Sequence, residues 1–293
     1  MFFSKKDKKE KPFNWRQIVK HKAQEWLTAT GFWDKKIARM PLSQAWQQRI
    51  DDVKSSTDNV FLPRHEAAGK IQNGIQTMHN GLKIHLGSYY GAPIARMLLE
   101  NKGVHEPQEE RVFAAVLAAL PTQSVIVELG AYWGFYSLWL HQKMASARCF
   151  LVEPNPAHLI FGQRNFKLNG AKGQFFSYGI GQKTDISNNT ISVDDFIAQQ
   201  NIDFVHILHA DIQGAEYDLL LGAEWAFTAQ KIGYIFISTH SNALHYQCLD
   251  FLIQQKFIII ANANLDETYS FDGLIVGRSP HFFGIDEVKI SLK

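Results

Sequence analysis

The apolar positions of the chain follow helical spacing first, and an alternation of strand and helix patterns later. Apolar residues recur at helical spacing across 15–27 and 42–53, which predicts two amphipathic helices. Alternation of apolar and polar residues within 81–91 permits a short strand or a hairpin. Pro107 and the acidic residues behind it are placed for a first helical turn, and Pro121 ends that helix.

From residue 125 onward, short β-branched runs alternate with helical patterns. The predicted strands are 125–128, 149–152, 174–178, 205–210, 233–238, 257–261 and 274–276. Strands that alternate with helices predict a mainly parallel, doubly wound α/β sheet. The last two strands have no helix between them, so we expect them to pair as an antiparallel hairpin. The prediction is a seven-stranded sheet domain at 105–293, preceded by a basic tail and a mainly helical extension at 1–104.

Composition narrows the class of protein. Hydrophobic residues make up 46% of the 293 positions, which is enough for a sizeable core and argues against global disorder. The net charge of +2 gives no strong field that would indicate a nucleic-acid partner. Cys149 and Cys248 lie in apolar contexts, which suits buried thiols in a reducing compartment. Without a transmembrane run or a convincing signal peptide, we expect a cytoplasmic protein.

The motif VIVELGAYWGFYSLWL, residues 125–140, brings an acid, a glycine turn and a helix start together. Glu128 ends the strand, and Gly130 lets the backbone turn tightly and approach a ligand. Glu153 ends the next strand, where a carboxylate can accept hydrogen bonds from both hydroxyls of a ribose. Because ligands of open α/β sheets bind outside the carboxyl ends of the strands, these residues predict a nucleoside site.

The residues of the turn favour one kind of nucleoside cofactor. A dinucleotide fold uses G-x-G-x-x-G to seat the pyrophosphate, whereas this chain has E-x-G-x-x-x-G with bulky Tyr132 and Trp133 in that space. The acid Glu128 repels phosphate and attracts an ammonium group. S-adenosylmethionine carries an amino acid and an adenosine without phosphate, so we favour it over NAD. An NAD-linked enzyme and a non-catalytic binding protein of the same fold are the alternatives.

The segment HADIQGAEYDLLLGAEW, residues 209–225, follows ELGAYWGFYS and precedes ISTHS. In this order the three motifs resemble the FkbM family of S-adenosylmethionine-dependent methyltransferases, over roughly residues 105–279. The resemblance implies the class I methyltransferase fold, a Rossmann-like doubly wound sheet, and O-methylation of a hydroxyl on a sugar or another small metabolite. The chain departs from many members at His209, Gln213 and Thr239, so we do not transfer their acceptor to this protein.

The resemblance also implies a cofactor site, residue by residue. It assigns the methionine part to the first turn, the ribose to the turn after the second strand and the adenine to the turn after the third. The residues carried over by position are Glu128, Gly130, Ala131, Tyr132, Glu153, Asn155, Tyr178, Gly179 and Asp211. Among them, Asp211 is expected to face the transferred methyl group.

Polar groups at the strand ends supply candidates for catalysis. Methyl transfer to oxygen requires an oriented acceptor and removal of its hydroxyl proton, a task that suits a neutral histidine near neutral pH. Asp211 and His240 end strands that we expect to be neighbours, so we predict that they flank the acceptor, with His240 as general base. His209 shares a strand face with Asp211 and is the reserve candidate. A divalent metal held by Asp211, His240 and a third group is an alternative.

For two further segments we favour a structural role over a role in binding or catalysis. In HEPQEER, the groups His105, Glu106 and Glu109 are expected to cap a helix rather than contact the cofactor or the substrate. We expect the N-terminal helices to form a capping subdomain. The other possibilities are a lid, a surface anchor or a contact in a homo-oligomer. The partner is a small-molecule or saccharide acceptor, with a pocket that we expect from 1–104 and 180–192.

Overall fold

The structure is a computed structural model that describes residue 37 and residues 39–293. The helix predicted at 15–27 lies outside the described residues, as does any contact between copies through it. The elements before the central sheet are α1 (Gln44–Ser55), a 3₁₀ turn (Thr57–Phe61), β1 (Ile71–Gln72), β2 (Ile75–Thr77), β3 (Lys83–His85), α2 (Ala92–Glu100) and α3 (Pro107–Ala119). The helix predicted at 42–53 is confirmed by α1, and the strand within 81–91 by β3, which closes a small antiparallel sheet of β1, β2 and β3.

Strands and helices alternate after Pro121, which ends α3 as predicted. The elements are β4 (Val125–Leu129), α4 (Phe135–Lys143), β5 (Arg148–Val152), α5 (Pro156–Leu168), β6 (Gln174–Phe176), β7 (Gly179–Ile180), a 3₁₀ turn (Ile186–Asn188), β8 (Thr190–Ile191), α6 (Val193–Gln199), β9 (Val205–Ala210), α7 (Glu216–Leu221), α8 (Glu224–Thr228), β10 (Ile232–Thr239), α9 (Asn242–Gln254), β11 (Ile258–Ala263) and β12 (Gly273–Arg278). Asn155, Ser192 and Ser241 start α5, α6 and α9, because each side chain accepts a hydrogen bond from a backbone N–H of the first turn.

The central sheet has seven strands in the order β11-β12-β10-β9-β4-β5-β6. Strands β10, β9, β4, β5 and β6 pair in parallel, while β12 is antiparallel to both β10 and β11. The predicted doubly wound sheet and the antiparallel pair at its end are confirmed. The chain runs from β4 outward to β6 and then returns to β9 on the other side of β4. The switch point at which such sheets bind ligands therefore lies between β4 and β9.

Each face of the sheet carries its own hydrophobic core, because successive strand residues point to opposite faces. Ile126 belongs to one core cluster, and its neighbour Val127 belongs to the other. The first cluster includes Ile50 and Val53 of α1, both fully buried. Burial of such a side chain contributes about 1.5–3 kcal/mol. Helix α1 is therefore part of the core that covers one face of the sheet, and the domain boundary at residue 104 stays a prediction.

No helix in the described part of the chain is both long enough and apolar enough to cross a membrane.

Candidate active site

The turns that follow β4 and β9 are joined at the switch point. The backbone N–H of Asp211 donates to the carbonyl oxygen of Leu129 at 3.0 Å. Gly130 has a φ of +72°, and a Cβ at this position would lie 1.7 Å from the carbonyl oxygen of Asp211. Both the left-handed backbone and the close approach require glycine. The predicted turn residue Gly130 and the predicted methyl-facing residue Asp211 are thus in backbone contact.

Glu128 is directed at the start of helix α4. The side chain is 3% exposed, and its Oε2 accepts a hydrogen bond from the backbone N–H of Ser137 at 2.9 Å. Gly134, the residue before the helix, has no side chain to satisfy that N–H, so the strand-end carboxylate supplies the cap. Burial raises the pKa of Glu128 above its usual range. Contact with the cofactor stays a prediction for this residue.

The predicted ribose-binding residue Glu153 lies at the end of β5 in a small polar group. Its Oε1 accepts from the backbone N–H of Asn155 at 2.9 Å and lies 3.4 Å from Nδ1 of His158. The ring of His158 stacks on Tyr132, with centroids 3.8 Å apart and planes 4° apart. Tyr132 itself has a left-handed φ of +36°, which directs its ring over the start of α5. His158 therefore links the predicted ribose-binding residue Glu153 to the turn residue Tyr132, although the two were assigned from separate motifs.

Tyr178 and Gly179 follow β6 on the same edge of the sheet. The backbone N–H of Glu153 donates to the carbonyl oxygen of Phe176 at 3.0 Å, which holds the two strand ends together. Both Tyr178 and Gly179 are half-buried. The position beside Glu153 is compatible with the predicted adenine contact, which stays a prediction.

His240 lies among three carboxylates. Its Nδ1 is 2.7 Å from Oε1 of Glu216, and its Nε2 is 3.3 Å from Oδ1 of Asp211 and 3.4 Å from Oδ1 of Asp272. Burial alone lowers the pKa of His240, but hydrogen bonds to Asp211 and Glu216, together with the charge of Asp272, outweigh it and raise the pKa to about 10. The ring is therefore an imidazolium near neutral pH, and the expectation of a neutral base at this position is corrected.

The amide of Gln213 completes the surroundings of the ring. Its Nε2 lies 2.8 Å from Nε2 of His240 and 3.2 Å from Oδ1 of Asp211. Which end of a glutamine amide is oxygen is assigned from the hydrogen-bond network. As placed, the amide nitrogen donates to Asp211 Oδ1; rotation of the amide by half a turn would present its oxygen to a protonated ring but would remove that hydrogen bond.

Asp272 is the residue of the site that sequence reasoning missed. Burial, followed by the charges of Asp211 and Glu106, raises its pKa to about 7. Asp272 belongs to the loop between β11 and β12, where no motif marks it. Because β12 runs antiparallel, its first residue, Gly273, lies at the carboxyl ends of the parallel strands. The predicted antiparallel hairpin could have identified Asp272. In such a hairpin, the residues just before the second strand lie at the carboxyl ends of the parallel strands, where ligands bind.

His209 lies behind the cleft. It is 4% exposed, its Nε2 is 2.7 Å from Oε1 of Glu109, and the ring of Tyr136 covers it at a centroid distance of 4.2 Å. Burial lowers the pKa of His209, but the hydrogen bond and charge of Glu109 outweigh it and raise the pKa. The reserve base of the sequence analysis is thus enclosed in a buried pair with Glu109, and its catalytic role stays a prediction.

A small cleft opens between the first turn of α3, the end of β10 and the loop before β12. Its lining residues include Glu106, Glu109, Ser238, Ser270 and Asp272. The capping role expected of HEPQEER is carried by Glu110, whose Oε1 accepts from the backbone N–H groups of His105 and Glu106 at 2.8 and 3.0 Å. Glu106 is the N-cap residue of α3 and Glu109 lies in its first turn, as expected for acids at a helix start, and both residues also line the cleft.

The metal-binding alternative finds no support in the geometry. Among residues 37 and 39–293, no group of three or more His, Cys, Asp or Glu side chains could hold a metal ion. Both ring nitrogens of His240 face carboxylates, so the ring is held by ion pairs instead of offering a lone pair to a metal.

The seven-stranded, mostly parallel sheet, with a glycine turn and acids at its strand ends, has the architecture expected of the class I methyltransferase fold. The sequence model of the methyltransferase FkbM domain matches residues 95–259. The chain belongs to the FkbM methyltransferase family, as its three motifs predicted. No curated protein matches the chain.

Several solved structures similar to this chain are methyltransferases of low sequence identity. An FkbM methyltransferase from Methylobacillus flagellatus is 17% identical, with a TM-score of 0.46, over 66% of this chain and 56% of that chain. A precorrin-6y C5,15-methyltransferase from Geobacter metallireducens is 15% identical, with a TM-score of 0.40, over 57% and 87%. TrmK from M. capricolum, solved with S-adenosylhomocysteine, is 16% identical, with a TM-score of 0.41, over 58% and 69%.

Proposed function

We propose that the protein is an S-adenosylmethionine-dependent methyltransferase that methylates a hydroxyl oxygen of a small metabolite or a sugar. The observation that carries the proposal is the group formed by Asp211, His240 and Asp272 beside the glycine turn. It combines, at the switch point, carboxylates that stabilise a cationic donor with a carboxyl whose pKa of about 7 suits proton removal.

The residues of the switch point fit this cofactor. Gly130 leaves room for backbone approach, and the carboxylate of Glu153 can accept hydrogen bonds from ribose hydroxyls. Asp211 adds negative charge where the positive sulfonium would lie. When bound, S-adenosylmethionine supplies an electrophilic methyl group. A pyrophosphate is disfavoured here, because carboxylates surround the turn and Tyr132 stacks over its edge.

Asp272 is the proposed general base. As the acceptor oxygen bonds to the methyl carbon, the carbon–sulfur bond breaks, and the hydroxyl proton passes to the Asp272 carboxylate. His240, as an imidazolium, positions Asp272 and Asp211 through its Nε2 and is itself held by Glu216 at Nδ1. The charge of His240 lowers the pKa of Asp272, so it keeps part of that carboxyl ionised near neutral pH.

The test combines cofactor binding with a search for product. Calorimetry should detect binding of S-adenosylmethionine, and mass spectrometry of a panel of hydroxylated metabolites should find one that gains the mass of a CH₂ group. An Asp272→Asn enzyme is the control: it should bind the cofactor as the wild type does and form far less product. Absence of cofactor binding to the wild type would overturn the proposal.

A further inference from the structure

Arg49, on helix α1, carries a buried charge without a partner. The residue is 7% exposed, and its Nε is buried without a hydrogen-bond partner. Within the part of the chain that the structure describes, no carboxylate forms an ion pair with it. Buried charges are normally paired or hydrogen-bonded, because the transfer of an unpaired ion out of water is costly. The buried Nε is therefore an unsatisfied donor, to which an anionic ligand could bind.

The guanidinium lies next to the cleft. Its central carbon is 4.1 Å from the centroid of the Phe271 ring and 5.4 Å from that of Trp46. Phe271 directly precedes the proposed base Asp272 and is half exposed. Glu106 and Asp272 both line the cleft. The charge of Arg49 helps to lower the pKa of Glu106, and it opposes the rise in the pKa of Asp272. The guanidinium thus makes a cation–π contact with Phe271 next to the proposed base, and its buried Nε has no acceptor in the described part of the chain.

We propose that the acceptor carries a carboxylate, and that Arg49 binds it while the acceptor hydroxyl faces Asp272. This inference rests on the proposed function. The planar fork of arginine matches a carboxylate or a phosphate in two parallel hydrogen bonds. The surroundings decide between the two anions: Glu106, Glu109 and Asp272 line the same cleft, so a monoanion is repelled less than a phosphate dianion. The acceptor class is therefore a hydroxylated carboxylic acid, such as a uronic acid or a small hydroxy acid.

The test measures binding of paired probes to the protein loaded with S-adenosylhomocysteine. The probes are glucuronate against glucose, glycerate against glycerol, and glucose 6-phosphate. We expect the carboxylates to bind at least tenfold more tightly than their neutral partners, and Arg49→Met to abolish the difference. Arg49→Lys keeps the positive charge but loses the planar guanidinium, so this variant should retain part of the preference for carboxylates. Lys54→Met removes a charge from the same helix outside the cleft and should change nothing.

Each outcome decides the inference. Equal binding of acid and neutral probes by the wild type, or an unchanged preference in Arg49→Met, overturns it. A preference for glucose 6-phosphate over glucuronate overturns the choice of carboxylate. If Arg49→Met fails to fold by circular dichroism, the Arg49→Lys enzyme decides by the same ratio. Failure of the proposed function is separate, because it is seen as absent binding of S-adenosylhomocysteine to the wild type before any probe is added.

Discussion

Asp272 and His240 meet at 3.4 Å, although one precedes the last strand of the sheet and the other ends the strand beside it. The contact joins a carboxyl with a raised pKa to an imidazolium that counteracts the rise. The protonation of the two groups is therefore coupled, so a change at either residue shifts the pKa of the other.

Replacement of Asp272 by asparagine should lower kcat by about 10²–10⁴-fold, the usual contribution of a general base. The amide keeps the shape of the side chain beside His240 but cannot accept the proton. Affinity for S-adenosylmethionine, measured by calorimetry, should stay within about twofold, because the proposed cofactor contacts lie on other turns. An Asp272→Asn enzyme with full turnover would exclude Asp272 as the base.

The activity should depend on pH through Asp272. Burial, followed by the charges of Asp211 and Glu106, raises its pKa to about 7, while His240 and Arg49 act in the opposite direction. Only the ionised carboxyl accepts a proton, so kcat/KM should rise with pH and level off above about 7. In His240→Gln the positive charge is lost and the rise should move to higher pH. Identical pH profiles for the two enzymes would contradict the pairing.

Stability should depend on pH through His240. Its pKa is raised from 6.5 to about 10 in the folded protein, so the ion pairs contribute fully below pH 6.5 and their contribution is lost as the pH rises through about 10. The melting temperature of the wild type should therefore fall between neutral pH and pH 10 more steeply than that of His240→Gln. Parallel curves from thermal unfolding would show that the ring is not charged in the folded state.

Gly130→Ala should damage both folding and cofactor binding. A Cβ there meets the carbonyl oxygen of Asp211 at 1.7 Å, so the two turns must separate. Gly170→Ala is the matched control, because Gly170 also has a positive φ, of +63°, and a Cβ there meets nothing within 4 Å. The control should lose only about 1–2 kcal/mol of stability and bind S-adenosylmethionine normally. Equal losses in urea unfolding would argue against the close contact.

Glu128→Gln separates the capping role of this residue from its predicted cofactor role. The amide oxygen can still accept the hydrogen bond from Ser137, and the buried charge is removed, so stability to urea should not fall. If Glu128 also attracts the ammonium of the cofactor, affinity should fall by about tenfold, the scale of a hydrogen bond to a charged group. Unchanged affinity would leave Glu128 with the helix cap alone.

Hydrophobic periodicity predicted the strands, their parallel order and the antiparallel pair, because burial of strand faces fixes those patterns locally. The neutral state of His240 was predicted wrongly, since its pKa depends on Glu216 and Asp272, and spacing does not reveal how many acids converge on one ring. The enclosure of His209 in a buried pair could not be predicted for a similar reason. Its strand position was read correctly, but Glu109 and Tyr136, which enclose it, come from helices elsewhere in the chain.

The antiparallel insertion of β12 separates the two halves of the site along the chain. The turns assigned to the cofactor follow β4, β5 and β6, whereas the loop 264–272 that carries Asp272 is a single excursion between β11 and β12. The loop can be exchanged or lengthened at its exposed tip without a change in the register of any parallel strand. A modular arrangement of this kind allows acceptor choice to diverge among relatives, or to be redesigned, while the donor half stays constant.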